Sequence, residues 1–344
     1  MVDLTFRTTL LLSIAAYIVF VLVRPPAPVD ASRLVDRPAD AARSFNYNTF
    51  TTADGLELKF IEKGDKGEKG TVVFLHGFPE TAAVSWGAFV DDFAARGYHV
   101  LAPDQRGYND SARPETVAAY DMALLTADMS DLIAKHAVGG RASVVGHDWG
   151  AAVAWSVGLT NPERVERLVV CNVPHPHAMR DALMGGSWRQ MLRSWYIFWF
   201  QVPVLPETLL ARADGTPLVR AVVNTAAPGT FSTHEVATLR AAWRKGISPL
   251  LNWYRASVRA VGGPSLPHGP VVQVPTHIVW GKHDHALGPE LVQPSLDLTA
   301  DGGVTWVDAS HWVQHEQFDI VSRAIGAFIA SGERVPGVAA PEIP

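Results

Sequence analysis

An aspartate lies at the centre of a turn that is built to expose a nucleophile. Residues Gly146-His147-Asp148-Trp149-Gly150 follow a small-x-nucleophile-x-small pattern, after an apolar, β-branched run at 141–145 and before a helix-compatible run at 151–155. A serine here would attack carbonyl carbon, whereas an ionised carboxylate attacks saturated carbon that carries a strained or good leaving group. Asp148 therefore predicts alkyl transfer, with epoxides or alkyl halides as substrates. An ordinary helix N-cap aspartate is the alternative interpretation of the same five residues.

Two further groups follow this aspartate in the order nucleophile, acid, histidine. Asp284 ends Gly281-Lys282-His283-Asp284, directly after a predicted strand, and His311 lies in Ala309-Ser310-His311-Trp312, after the last predicted strand. Loops at the carboxyl ends of parallel strands gather at one edge of a sheet, so we expect Asp148, Asp284 and His311 to lie together.

The elements that must position these residues alternate between strands and helices. Predicted strands cover about 56–60, 71–75, 98–102, 141–145, 168–173, 274–280 and 304–307, and predicted helices cover about 86–95, 122–136 and 317–330. This rhythm predicts an α/β fold with a doubly wound, mostly parallel sheet. From about 176 to 270 the strand pattern stops and helix formers with many aromatics follow, which predicts an inserted helical lid over an apolar cavity.

The chain accordingly divides into five parts. These are a hydrophobic anchor and linker (1–43), the first part of the core (44–175), the lid (176–270), the second part of the core (271–334) and a C-terminal tail (335–344).

The hydrophobic segment near the N-terminus predicts a membrane anchor. Thr8 to Val23 form an almost continuous apolar stretch of 16 residues between Arg7 and Arg24, and a proline-rich spacer follows. The arginines that follow the segment favour a cytoplasmic catalytic domain by the positive-inside rule. A cleaved signal peptide, with export of the protein, is the alternative.

Composition excludes other partners. The 344-residue chain has a net charge of −5 and no basic cluster, which argues against nucleic-acid binding. The single cysteine, Cys171, lies in an apolar run and is expected to be a small buried hydrophobe.

No cofactor is predicted. The clusters His283-Asp284-His285 and His311 with His315 leave metal-dependent hydrolysis as a further hypothesis, although the triad already needs two of these residues.

Together the motifs resemble the epoxide hydrolase branch of the α/β-hydrolase superfamily across about residues 45–332, and the hydrophobic N-terminus resembles that of its membrane-anchored members. The matching segments are His76-Gly77-Phe78-Pro79-Glu80, Asp104-Gln105-Arg106-Gly107-Tyr108, Gly146-His147-Asp148-Trp149-Gly150, Asn252-Trp253-Tyr254-Arg255, Gly281-Lys282-His283-Asp284 and His311-Trp312-Val313-Gln314.

The resemblance implies a role for each site residue. Two lid tyrosines distinguish the family. Tyr254 lies in the Asn-Trp-Tyr-Arg motif, and Tyr196 is assigned from its position just before the segment Phe200-Gln201-Val202-Pro203. Asp148 would attack the epoxide carbon while both tyrosines bind and protonate the ring oxygen, which leaves a hydroxyalkyl ester.

The same resemblance implies the second half of the reaction. His311, oriented by Asp284, would activate the water that hydrolyses the ester to a vicinal diol. Backbone N–H groups of Phe78 and Trp149 would stabilise the oxyanion, and their side chains would shape the substrate pocket.

Two other functions remain open on the same fold. A haloalkane dehalogenase would share the aspartate, the acid and the histidine, and Trp149 follows the nucleophile as a halide-binding tryptophan does; the tyrosine pair favours an epoxide. A non-enzymatic ligand receptor would be expected to lack a triad residue, and none is missing.

The sequence departs from its relatives at Asn109, where glycine is usual, and at Thr81–Val84, which we expect to lengthen the loop beside the oxyanion hole.

Overall fold

A single sheet forms the centre of the molecule. The computed structural model describes residues 25–185, 187–259 and 269–341. The strands are β1 (Tyr47–Thr51), β2 (Glu57–Lys63), β3 (Thr71–Leu75), β4 (His99–Asp104), β5 (Ala142–His147), β6 (Val165–Cys171), β7 (Thr276–Gly281) and β8 (Gly302–Val307). They pair in the order β1-β2-β4-β3-β5-β6-β7-β8. β2 pairs antiparallel with β1 and β4, and all other pairs are parallel.

Helices cover both faces of this sheet and form the lid. They are α1 (Pro38–Ala42), α2 (Ala82–Ala95), α3 (Met122–His136), α4 (Trp149–Thr160), α5 (Pro176–Met184), α6 (Trp188–Arg193), α7 (Trp195–Trp199), α8 (Leu205–Leu210), α9 (Arg212–Thr225), α10 (Thr233–Trp243), α11 (Ser248–Arg259), α12 (Val292–Leu296), α13 (Val313–Glu316) and α14 (Phe318–Ser331). Helices α2 and α14 pack on one face of the sheet, and α3 and α4 pack on the other. The predicted α/β fold with a mostly parallel sheet is confirmed.

Burial on both faces explains why the central strands read as apolar runs. Every residue of β3, β4, β5 and β7 is buried, so these strands lack the alternation of a half-exposed strand. β1 escaped sequence prediction because it is an edge strand in which only Phe50 is buried. No apolar period of two marks such a strand.

The segment at Thr81–Val84 does not lengthen a loop, so that expectation was wrong. Helix α2 already begins at Ala82, and the Thr81 side chain caps it by accepting a hydrogen bond from the Val84 N–H (3.4 Å). A threonine at the N-cap satisfies one of the free N–H groups of the first turn, so the helix begins four residues earlier than predicted.

The other departure, Asn109, adopts a left-handed conformation (φ 45°), which asparagine tolerates better than most residues. Its side-chain amide donates a hydrogen bond to Asp104.

The part of the predicted linker that the structure describes is not a free spacer. We call residues 31–43 the N-terminal strap. Val35 pairs with Ser232 of the lid, and Arg37 donates hydrogen bonds to the carbonyls of Gly229 (2.6 Å) and Thr230 (2.7 Å). Arg43 then binds Asp91 of α2, so the strap ties the lid to the core.

The predicted membrane segment, residues 8–23, lies outside the described residues. Within ranges 25–185, 187–259 and 269–341, none of the helices has the length and apolarity needed to cross a membrane.

Candidate active site

A strained turn holds Asp148 between β5 and α4. The residue has φ 48° and ψ −125°, a backbone conformation that is unfavourable for any residue other than glycine. A Cβ built on Gly77 would lie 2.4 Å from the Asp148 Cβ, and one on Gly150 would lie 2.1 Å from the Leu75 carbonyl oxygen. Glycine at these two positions therefore lets the β3 loop and the α4 helix close around the aspartate.

Asp148 occupies the N-cap position but does not cap α4 with its side chain. Its Oδ1 atom instead accepts a hydrogen bond of 2.7 Å from the Phe78 N–H, on the loop that follows β3. The ordinary N-cap interpretation therefore does not describe this carboxylate, because its backbone hydrogen bond comes from a different loop and not from the first turn of α4.

His311 lies between two carboxylates. Its Nδ1 atom is 2.7 Å from Oδ2 of Asp284, and its Nε2 atom is 3.6 Å from Oδ2 of Asp148. Asp284 is buried and is itself oriented by Asn172 and by the N–H groups of Ala286 and Leu287. The structure thus brings the three residues from the ends of β5, β7 and β8 together, as the sequence predicted.

The three groups shift one another's pKa values. Burial alone lowers the pKa of His311, but the two carboxylates outweigh it and raise this pKa to about 10. Burial alone raises the pKa of Asp148 and of Asp284, but His311 outweighs it and the pKa of each carboxyl falls below its usual value. Asp148 is consequently ionised at neutral pH.

Two lid tyrosines line the same cavity as Asp148. Tyr196 lies on α7 and Tyr254 on α11, and their ring centroids are 5.9 Å apart. Burial and the Asp148 charge raise the pKa of both hydroxyls above the ordinary tyrosine value, so both carry protons at neutral pH. Trp149, the first residue of α4, packs edge-on against Tyr254 with centroids 5.0 Å apart.

The remaining cavity wall is mainly apolar. It is lined by Phe78, Pro79, Leu218, Ala221, Val222, Thr225, His285, Ala286 and Trp312. Thr225 is already engaged, because its hydroxyl accepts from the Trp312 indole (3.0 Å) and donates to the Ala221 carbonyl (2.7 Å).

Arg255 explains why the Asn-Trp-Tyr-Arg motif extends beyond the tyrosine. Its guanidinium is buried and donates to the carbonyls of Phe200 (2.9 Å) and Val202 (3.1 Å), directly after α7. Gln201 adds a bond from its side-chain amide to the Tyr254 carbonyl (3.2 Å). These contacts fix the two tyrosine-bearing helices relative to each other.

A buried polar network beneath the site was not predicted from the sequence. Glu80 binds His315 (2.5 Å) and Ser85 (3.0 Å), and Gln314 bridges Glu80 to the ring of His147. His147 in turn binds the backbone carbonyl of His311 (2.8 Å). The motifs that contain Glu80, His147 and Gln314 were recognised, but not their contacts, because His315 and Gln314 lie more than 200 residues from Glu80 in the chain.

Glu316 makes a second set of hydrogen bonds that the sequence did not predict. Its carboxylate accepts from the N–H (2.8 Å) and hydroxyl (2.6 Å) of Ser310, next to His311, and from the N–H of Ala227 in the lid (2.8 Å). One side chain therefore holds the histidine loop against the lid.

The histidines behind the metal hypothesis have separate partners. His283 binds Asp308 at the surface (2.8 Å), His311 binds Asp284, and His315 binds Glu80. In the part of the chain that the structure describes, no group of three or more His, Cys, Asp or Glu residues could hold a metal ion. Cys171 is buried, as predicted.

Comparisons with known proteins agree with this architecture. A family model described as alpha/beta hydrolase fold matches residues 70–318. The AB hydrolase superfamily protein YfhM of Bacillus subtilis is 36% identical over 80% of this chain and 95% of its own length. Epoxide hydrolase A of Mycobacterium tuberculosis is 32% identical over 81% of this chain and 96% of its own length. A crystal structure of Bacillus megaterium epoxide hydrolase with an inhibitor has a TM-score of 0.72, with 28% identity, 83% coverage of this chain and 100% of that chain.

The fold and the match over residues 70–318 define the class: the chain is an α/β hydrolase. Within that family it belongs to the epoxide hydrolase branch, since relatives of this name align over most of both chains.

Proposed function

We propose that the protein opens lipophilic epoxides to vicinal diols through a covalent ester on Asp148. The observation that carries this proposal is that the Asp148 carboxylate, free of helix capping, shares one apolar cavity with His311, Tyr196 and Tyr254. The cavity thus combines a nucleophile, a base and two proton donors.

In the first step, a lone pair of Asp148 attacks an epoxide carbon and the ring C–O bond breaks. Oδ1 is held by the Phe78 N–H, so Oδ2 is the attacking oxygen. The electron pair of the broken bond moves to the epoxide oxygen, which receives a proton from Tyr196 or Tyr254. Both hydroxyls are protonated because their pKa values are raised.

In the second step, His311 takes a proton from a water molecule, and the water oxygen attacks the Asp148 carbonyl carbon. Oδ1, now the carbonyl oxygen, carries the developing charge where the N–H groups of Phe78 and Trp149 stabilise it, an effect worth roughly 3 kcal/mol per donor in comparable sites. The C–Oδ2 bond then breaks and Oδ2 takes the proton held by His311, so that the diol leaves. The second proton of the water returns, through solvent, to the tyrosine that gave up its proton in the first step, which restores the Asp148 carboxylate and the tyrosine hydroxyl. Asp284 stabilises the positive charge that His311 gains when it takes the proton from water.

The cavity wall favours a lipophilic substrate. Leu218, Ala221 and Val222 of α9 contribute aliphatic surface to the cavity wall. Binding an apolar substituent there removes apolar surface from water, whereas a strongly polar substituent would lose hydration without new hydrogen bonds.

A panel of styrene-like, fatty-acid and terpene-like epoxides, with diol detection, tests the proposal. A matched panel of alkyl halides, with halide detection, is the control for dehalogenase activity. Diol formation from at least one epoxide class without halide release supports the assignment. Halide release without diol formation contradicts it, and turnover of neither panel favours a receptor.

The proposal also includes a membrane anchor at residues 8–23, which rests on the apolar sequence of this segment alone. The test compares the full chain with a variant that begins at residue 25. After a high-salt wash, which removes proteins held at the membrane surface by charge, we expect the full chain in the membrane pellet and the shortened, active form in the supernatant. Equal recovery of both forms in the washed pellet would contradict an anchor at 8–23.

A further inference from the structure

The outer surface of the lid is unusually apolar. Six large side chains there are each more than half exposed, namely Met184, Trp188, Leu192, Trp195, Phe198 and Val204. We call these six residues the outer lid face. Among the described residues, eight of the eleven large apolar side chains that are exposed lie between positions 184 and 204. Isolated exposed hydrophobics are normal, but a concentration of this kind marks an interaction surface.

The charged residues within the segment that carries the outer lid face are both basic. Between positions 184 and 204 the only charged residues are Arg189 and Arg193, although the whole chain carries a net charge of −5. The Arg189 guanidinium lies over the Trp188 ring, 5.5 Å from its centroid, and Arg193 binds Glu290. A second copy of the same face would bring Arg189 close to its own counterpart, and this repulsion disfavours self-association through the face.

The types of residue fit the interface of a lipid bilayer. Tryptophan, phenylalanine and leucine beside arginine are typical of surfaces that lie in the headgroup region without spanning the membrane. The apolar stretch at 8–23 is a second, independent feature of this chain with the same chemistry.

The outer lid face is also connected to the cavity. The short helix α7 carries Trp195 and Phe198 on its exposed side and Tyr196 on the side that lines the cavity. Only one helix therefore separates the exposed apolar surface from the site. An apolar substrate dissolved in a bilayer would have a short route to the cavity past this helix.

We propose that the outer lid face docks on the surface of an anionic lipid bilayer. The docking itself is independent of the proposed reaction; the delivery of a lipophilic epoxide from the bilayer rests on it. Trp188, Trp195 and Phe198 insert among the headgroups, and Arg189, whose guanidinium lies over the Trp188 ring, attracts the lipid phosphates.

A fluorescent label on the full-length protein tests this docking. Cys171 is the only cysteine; it is buried, and burial raises the pKa of its thiol, so it does not react with the label. Separate Leu192→Cys and Phe198→Cys variants carry an environment-sensitive fluorophore, and Ala134→Cys, exposed on α3 of the core, is the matched control. The probes are vesicles of phosphatidylcholine with phosphatidylglycerol, vesicles of phosphatidylcholine alone, and spin-labelled lipid.

We expect blue-shifted emission and quenching by spin-labelled lipid at positions 192 and 198, but not at 134, with a larger effect on the anionic vesicles. Vesicle binding without any change at 192 and 198 would overturn the proposal, because residues 8–23 alone would then account for it. Absence of vesicle binding would also overturn it. A blue shift without vesicles would mean that another occupant covers this face. That occupant would be a second copy if the shift depends on protein concentration, and residues 8–23 if it does not.

Discussion

The Nε2 atom of His311 lies 3.6 Å from Oδ2 of Asp148, beyond the length of a normal hydrogen bond, while its Nδ1 atom is held at 2.7 Å by Asp284. The imidazole is thus anchored by Asp284 on one side and open on the side of Asp148, the proposed nucleophile. This spacing suits a base that must act on a water molecule approaching the Asp148 carbonyl carbon, rather than on Asp148 itself.

Replacing the nucleophile should abolish turnover. Asp148→Ala removes the only group proposed to form the ester, so we expect diol formation to fall by at least about 10³-fold, as for nucleophiles in other covalent enzymes. Diol detection with a reactive epoxide, alongside circular dichroism to check the fold, provides the measurement. Diol production at the level of the unaltered protein would show that Asp148 is not the nucleophile.

Removing the base should trap the intermediate. His311→Gln keeps the size of the side chain and leaves Asp148 and the tyrosines in place, so alkylation proceeds while hydrolysis slows by about 10²–10⁴-fold. Mass spectrometry of the peptide that contains Asp148 should show the added mass of the substrate. A variant that binds the epoxide but never gains this mass would count against covalent catalysis.

The two lid tyrosines should matter for epoxides in particular. Tyr196→Phe and Tyr254→Phe each remove one proton donor, so we expect kcat/KM for an epoxide to fall about tenfold to a hundredfold, and further in the double variant. Tyr108→Phe is the matched control, because the Tyr108 hydroxyl is buried, has no hydrogen-bond partner among the described residues and does not line the cavity. Equal losses in all three single variants would assign the effect to packing rather than to proton donation.

The two half-reactions should depend differently on pH. Alkylation needs ionised Asp148, whose pKa is lowered, and protonated tyrosines, whose pKa values are raised, so its rate should be constant between about pH 5 and 9. Hydrolysis needs neutral His311, whose pKa in the resting protein is about 10.

Ester formation neutralises Asp148 and removes its contribution to the raised pKa of His311, which therefore falls below its resting value. The hydrolysis rate should rise with pH until it passes this lower pKa. Single-turnover stopped-flow measurements across the pH range separate the two phases. A hydrolysis rate that decreases as the pH rises from about 5 to 9 would exclude His311 as the base.

The fold and the close placement of three site residues were predictable because their signals are local. Asp148, Asp284 and His311 each follow an apolar strand, and the carboxyl ends of parallel strands share one edge of the sheet. The bonds from Glu80 to His315 and from Glu316 to Ala227 were not predictable, because each joins residues that only the folded chain brings together. The strand β1 and the early start of α2 were missed for local reasons, an edge strand without apolar alternation and a capping threonine.

Isotope labelling tests the covalent role of Asp148 most directly. In a single turnover in heavy-oxygen water, water oxygen enters at the Asp148 carbonyl carbon while the original Oδ2 leaves with the product. We therefore predict an unlabelled diol and one heavy oxygen in the peptide that contains Asp148. A labelled diol with an unlabelled Asp148 would mean that water attacks the epoxide directly, and would contradict the proposed mechanism.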